Sequence, residues 1–437
     1  MISLLFKQTR IGMPIPFKAL AIVSVLLLSG CTDDCVFNWV DLQPQYALLS
    51  DVRSETLTME SPRELENPGK MYYYQNMLLI NEVGEGIHIY DNQDPANPTV
   101  IGFLSIPGNV DMAVHNDVLY ADSYIDLVSF SVANWQAPVQ IGRMENLYPS
   151  YSYPLGNGLF GWYSEEDDLI ITGYNEVEMS ESGVCDQGNF IPWRRGESVL
   201  FAAADMEAAV SPGANNGGGG QGGSMARFTL AANRLYAVDN NSLHIVSLNN
   251  PTNPQRTNEV SIGWGVETIF PAQNMLFFGT TTGMIIHSLA DPDNPEYLSV
   301  ISHMEACDPV VVQGNYAYYT IRSGNFCGQG EDLLGVVDIS NPRSPIEVAT
   351  HSMDGPYGLG IDGETLFICE GDNGLKVFDA SDYNSIGDRM TKRYRNVHAW
   401  DVIPLGEVLL MVGEDGLYQY DYSDPSNIRE LSHIATP

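Results

Sequence analysis

Short stretches in which large apolar and polar residues alternate succeed one another along this chain, and long helical spacings are absent. Within residues 110–142 the order is plain: 110–114, 118–121, 127–131 and 139–142 read as four strands parted by turn residues. Tight hairpins need positions at positive φ, and Asn116-Asp117, Asp372-Asn373-Gly374 and Glu414-Asp415-Gly416 supply them. The pattern returns about every forty residues. Its marker is a tail that stops the third strand and starts the fourth. The clearest tails are 87–98 (IHIYDNQDPANP), 243–254 (LHIVSLNNPTNP), 284–295 (MIIHSLADPDNP) and 334–345 (LGVVDISNPRSP). Weaker ones lie at 127–138, 375–386 and 417–428.

A four-stranded unit of this size cannot bury its apolar face alone, so neighbouring copies must stack. Antiparallel units repeated about an axis are the blades of a β-propeller. The seven tails and one hidden copy between Leu127 and Leu243 predict an all-β fold with a single propeller of eight four-stranded blades, seven being the alternative. The propeller spans 69–435, with a degenerate blade and a Gly-rich insertion at about 144–224. With strands lettered A to D from the axis outward, the D–A and B–C connections share one face. The stretch 213–224 (GANNGGGGQGGS) lacks the Gly-Lys-Ser/Thr end of a phosphate loop and is expected to be a flexible surface insertion.

At the repeat level, Ile89-Tyr90-Asp91 and 336–342 (VVDISNP) resemble the signature of LVIVD-repeat proteins, propellers of bacterial envelopes. The resemblance runs from about residue 70 to the end and departs between Met144 and Ser224. It implies the fold and no common activity.

The front end carries processing information. Lys7, Arg10 and Lys18 precede an apolar run, 19–28, which is shorter than the roughly twenty residues of a membrane span. Leu28-Ser29-Gly30-Cys31 resembles the lipobox of bacterial lipoproteins, which implies removal of 1–30 and lipidation of Cys31. Residues 31–68 are then a lipidated tether and lead-in strand. Thr32-Asp33-Asp34 resembles the export signal of Bacteroidetes-type surface lipoproteins, so the expected place is the outer membrane, periplasm-facing or surface-exposed. The membrane partner would be reached through the lipid alone.

The full chain has a formal charge of −35; removing 1–30 lowers Lys+Arg from 20 to 17 against 55 acids, giving −38. Such a surface repels nucleic acid and anionic lipid. Nucleic acid is thus excluded as a partner, which leaves a protein or polysaccharide. Four basic residues gather in 389–395 (RMTKRYR), expected as a salt-bridged D–A connection. Of the remaining cysteines, Cys307 and Cys327 fall in connections on one face of one copy and are expected to form a disulfide, closing a loop worth ~3 kcal/mol. Cys185 could pair with Cys35, and Cys369 reads as a core thiol.

No His-Glu-x-x-His, Gly-x-Ser-x-Gly, Cys-x-x-Cys or haem-attachment motif occurs. His88, His244 and His287 sit on third strands as packed or edge-exposed side chains, and the turn 291–296 lacks the spacing of a calcium loop. Aligning the copies reveals one constellation. Asp111, Glu267, Asp308 and Asp401 recur near the start of the innermost strand, with Arg227 at that place in another copy. Two readings stay open: blade staples that accept backbone N–H bonds, or a mouth that binds a polar ligand or a divalent cation such as calcium. His303, Glu305, Arg322, His351, Asp354, Glu370 and His398 lie in connections on the same face, with Trp264, Tyr357, Tyr394 and Trp400 in or beside them. The expected function is a non-enzymatic binding or assembly scaffold. The rivals are a metal-assisted hydrolase or lyase at the acidic mouth and a structural surface or adhesion component.

Overall fold

The computed structural model describes residues 34–148, 152–155, 160–184, 221–224, 226–302, 309–323 and 331–437. Cys31, Cys185, Cys307, Cys327, Asp308, His303, Glu305, the stretch 213–220 and the side chain of Cys35 lie outside the described residues. The chain divides into two compact units, a small one of 1–42 with 176–195 and a large one of 43–175 with 196–437. In the small unit the described residues are strand ends. The sheets lie in the large unit, apart from the ends of the strands Asp34–Leu48 and Leu169–Val184. Among the described residues no helix is long and apolar enough to cross a membrane.

The fold is nearly all β, and eight antiparallel sheets are built on four strands each, as the repeat predicts. Sheets are numbered here by the chain order of their innermost strands. Those strands are Pro68–Tyr74, Met112–His115, Ser152–Pro154, Phe228–Ala231, Val266–Ala272, Val310–Gln313, Leu359–Asp362 and Asp401–Pro404. In sheet 2 the strands are Met112–His115, Val118–Ser123, Asp126–Ser131 and Val139–Met144, each within a few residues of its expected place. Asn116 and Asp117 take φ of 50° and 57° and close the first hairpin. Second strands such as Val118–Ser123 are buried throughout, because a neighbouring sheet covers both faces. Outer strands such as Arg429–Ala435 keep exposed positions, since sheets diverge away from the axis.

Seven sheets close the ring. The innermost strand of sheet 1 packs on that of sheet 2, sheet 2 on sheet 4, and so on in order to sheet 8, whose second strand returns to sheet 1. The tails explain this order. Each carries the same turn, closed by an N–H to C=O bond three residues back, at Asp94, Asn134, Asn250, Asp291, Asn341, Asp382 and Asp424. In four of these turns a proline carbonyl receives a hydroxyl from the preceding sheet of the ring. Ser299 donates to Pro342 at 2.7 Å, Ser432 to Pro95 at 2.6 Å and Tyr236 to Pro292 at 2.8 Å. Ser129 of sheet 2 likewise donates to Pro251 of sheet 4 at 2.7 Å. Gly142 stands where Ser299 and Ser432 stand in their own strands; a Cβ there would lie 2.7 Å from the Ser129 hydroxyl and 3.0 Å from the Pro251 carbonyl. Between sheets 8 and 1, buried Gln419 and Asn92 exchange two amide bonds of 2.7 and 2.9 Å.

Sheet 3 is the degenerate copy. Its sequence shows no such tail, and its fourth strand is supplied by Asp34–Leu48 from the front of the chain. Tyr153 meets Tyr124 edge-on at 5.0 Å beside the second hairpin of sheet 2, which puts sheet 3 on the D–A and B–C face. After the helix Leu49–Ser54, Met59–Glu60 adds to the outer edge of sheet 1.

The Gly-rich insertion departs from expectation at its end. Gln221–Gly222 pairs with Tyr73 and Tyr72 on the innermost edge of sheet 1, and 222–224 are buried. Gln221 Nε2 donates to the Pro404 carbonyl at 3.1 Å, so this piece ties the first sheet to the last. Two glycines in a row leave the backbone free to approach another strand closely. The basic island is also placed differently: Met390–Tyr394 is the outer strand of sheet 7, not a connection. Two of its charges are paired, Arg389 with Asp379 and Arg393 with Asp354 and Glu370.

Candidate functional site

The acid that precedes the innermost strand of sheet 2 joins three sheets. Asp111 is 4% exposed and accepts from Lys70 Nζ at 2.6 Å, Arg227 N at 2.8 Å and Phe228 N at 3.0 Å on Oδ2, and from Met112 N at 2.7 Å on Oδ1. Beside it Asp122 Oδ1 accepts from Asn109 Nδ2, Val110 N and Asp111 N at 2.7–3.0 Å. Burial pushes the Asp122 carboxyl up to about 7, more than the N–H groups of Val110 and Asp111 can offset. Burial also lowers the Lys70 ammonium, against the pull of Asp111. Lys70 and Asp122 were not singled out by the repeat alignment; a lysine in an otherwise buried innermost strand was the available signal.

Asp401 is fully buried and accepts from Ser224 Oγ at 2.8 Å, while Ser224 Oγ accepts from Leu359 N at 3.1 Å. A Cβ on Gly358 would stand 2.1 Å from Asp401 Oδ1, so glycine is required there. Glu267 is half-buried in its strand and has partners of its own. Arg227 is buried, with Nη2 on Asn240 Oδ1 at 3.1 Å. Asp111 and Asp401 therefore act as ties between sheets. Three of the four donors fall on Oδ2, and one of them is an ammonium that balances the charge of Asp111. Among the described residues no group of three or more His, Cys, Asp or Glu is placed to hold a metal.

A second set of acids emerges only in three dimensions. Each sits in or near a B–C connection and grips a side chain on the third strand, and Glu82 and Glu370 also hold the segment leading into the innermost strand. Glu82 bonds His88 at 3.0 Å and accepts from Glu66 N and Asn67 N. Asp239 bonds His244 at 2.9 Å and the N–H groups of Asn241 and Ser242. Glu370 takes Lys376 at 2.8 Å and Asp354 N at 2.9 Å. Burial raises Glu82 and Asp239, but the histidine and N–H bonds outweigh it and hold both below the ordinary carboxylate range. His88 and His244 are thus buried partners of acids, not edge-exposed. The missed sequence signal is an acid five or six residues before a His or Lys near the start of the third strand. His287, by contrast, packs between Phe278 and Tyr297.

The aromatic residues of this face divide. Trp400 is buried at 5% with His398 edge-on at 5.4 Å, and Tyr394 donates to the Ile428 carbonyl. Arg322 stacks 3.9 Å over the half-buried Tyr357 ring. Trp264 is 77% exposed. An open groove of about 750 Å³ lies beside His398, lined by Glu64, Glu66, Glu414, Asp415 and Thr436. Cys369 is a buried thiol, as expected, pushed up by burial.

The model of the LVIVD repeat matches residues 305–352, so the chain carries this repeat within its propeller. No curated protein sequence matches the chain. Among solved structures it is similar to the periplasmic gluconolactonase PpgL of Pseudomonas aeruginosa, with TM-score 0.50 and 12% identity over 85% of this chain and 96% of that one. It is also similar to BamB from Moraxella catarrhalis (0.46, 8%, 84% and 97%) and to Hsv2 of Kluyveromyces lactis (0.46, 12%, 85% and 100%). At such identities the likeness concerns fold alone.

Proposed function

We propose that this propeller is a non-enzymatic binding scaffold of the cell envelope, working through the face that carries its D–A and B–C connections. One observation carries the reading: Asp111 and Asp401 are spent on ties between sheets, while the same face keeps an open acidic groove and a solvent-exposed tryptophan. A photo-crosslinking residue at Glu414, in the groove, should capture a discrete envelope component in producing cells. The same residue at Asn116, in an A–B hairpin of the opposite face, should not. Equal capture at both positions, or none at either, would remove the proposal.

Two covalent features belong to the same reading. Cys31 carries the lipid anchor at the outer membrane, and Cys31→Ser should abolish incorporation of labelled fatty acid. Cys307 and Cys327 form a disulfide, so peptide mapping without reduction should recover them linked; two alkylated thiols would reject the bond.

A further inference from the structure

Trp264 stands in the connection between sheets 4 and 5, and its backbone is fixed on both sides. Ile262 N and Gly263 N donate to the Asn241 carbonyl at 2.9 and 3.3 Å, Val266 N to the Asn240 carbonyl at 3.0 Å, and Thr281 N to the Gly265 carbonyl at 2.9 Å. The glycines on either side have φ of 135° and 74°, a conformation that other residues rarely adopt. At Gly265 a Cβ would lie 2.1 Å from Thr281 Oγ1. The loop therefore holds its shape without using the indole, which is left in water on a rigid mount.

An exposed indole forgoes the burial that makes tryptophan favourable in a core, and a fixed mount removes much of the entropy cost of binding. What surrounds it selects the partner. Ser261, Asn241 and Thr282 are exposed neighbours in the chain or across these bonds, while the apolar residues of the loop, Ile262 and Val266, are buried. A protein anchor normally sits within a packed, water-excluding patch. Indole with hydroxyl and amide groups suits instead the C–H face and hydroxyls of a sugar ring. A formal charge of −35 disfavours an anionic polymer. We infer that Trp264 is the stacking platform of a binding site for a neutral polysaccharide, which gives the scaffold reading above a ligand class.

The test is affinity electrophoresis of the full chain through gels containing dextran, mannan or laminarin, with alginate as the anionic control. At least one neutral polymer should retard the wild type and alginate should not. Trp264→Ala should raise the dissociation constant about tenfold or more, the scale of one lost anchor, while Trp264→Tyr keeps most of the retardation. Because Trp264 is largely exposed, the melting temperature should not change. No retardation by any neutral polymer, or retardation unaltered in Trp264→Ala, overturns the inference. Capture at Glu414 with no polymer retardation would leave the scaffold standing and remove only its sugar.

Discussion

Sheets 2 and 3 are neighbours in the chain, yet one is part of the ring and the other is not. Sheet 2 carries a tail and reaches the tail of sheet 4 through Ser129. Sheet 3 shows no tail in its sequence, borrows its fourth strand from Asp34–Leu48, and lies against the second hairpin of sheet 2. Four antiparallel strands are common to both. What differs is the tail, a turn that sheets 2 and 4 both carry, with the Pro251 carbonyl of sheet 4 gripped by Ser129 of sheet 2.

The strongest way to break this comparison is at Asp111, where sheet 2 meets sheet 4 across the skipped copy. Asp111→Ala leaves Lys70 buried without its partner and frees two N–H groups of sheet 4. Urea unfolding should show a loss of about 3–5 kcal/mol; a loss below about 1 kcal/mol would mean the junction does not hold the ring.

Arg53→Ala attacks sheet 3 instead. Arg53 follows the borrowed strand and makes two bonds of 2.8–2.9 Å to the fully buried Asp126, which keeps Arg143 and Asn146 N as partners. A local loss of about 1–3 kcal/mol is expected. Proteolysis within residues 34–58 should accelerate while the main melting transition moves little. Simultaneous loss of both would show that sheet 3 supports the ring.

pH separates the two regions again through Asp122. Its folded carboxyl is raised from 3.8 to about 7, so folding favours the protonated form. The resulting stabilisation is complete below pH 3.8 and is lost as pH rises through about 7. Asp122→Asn should flatten the fall in stability between those pH values, measured as the difference from wild type. An unchanged slope would show that Asp122 is ionised throughout.

The smallest effects lie at the tails. Ser129→Ala and Ser432→Ala should each cost ~1 kcal/mol, and the pair should be additive because the junctions are far apart. A silent Ser129→Ala beside an active Ser432→Ala would contradict the direct junction of sheets 2 and 4.

Much of this was legible in the chain. Seven tails gave seven ring members, the hairpin at Asn116-Asp117 fell where its positive φ required, and Cys369 was core. The eighth sheet was counted but its place was not readable, because membership depends on a carbonyl contact between segments more than a hundred residues apart. Asp111 and Asp401 were found by alignment, but their donors were not. Lys70 comes from the preceding sheet, Arg227 N from the next, and Ser224 from an insertion expected at the surface. The clasps at Glu82, Asp239 and Glu370 went unseen because their spacing varies with hairpin length.

By itself, then, the sequence determined the four-stranded unit, its number of tails and its polar face, since alternation and turn chemistry are local properties of the backbone. The tertiary structure alone decided which sheets meet, which acids are consumed and that 221–224 lines the innermost edge of sheet 1. A buried carboxylate takes whichever donors packing brings to it, and that packing is set by the whole ring at once.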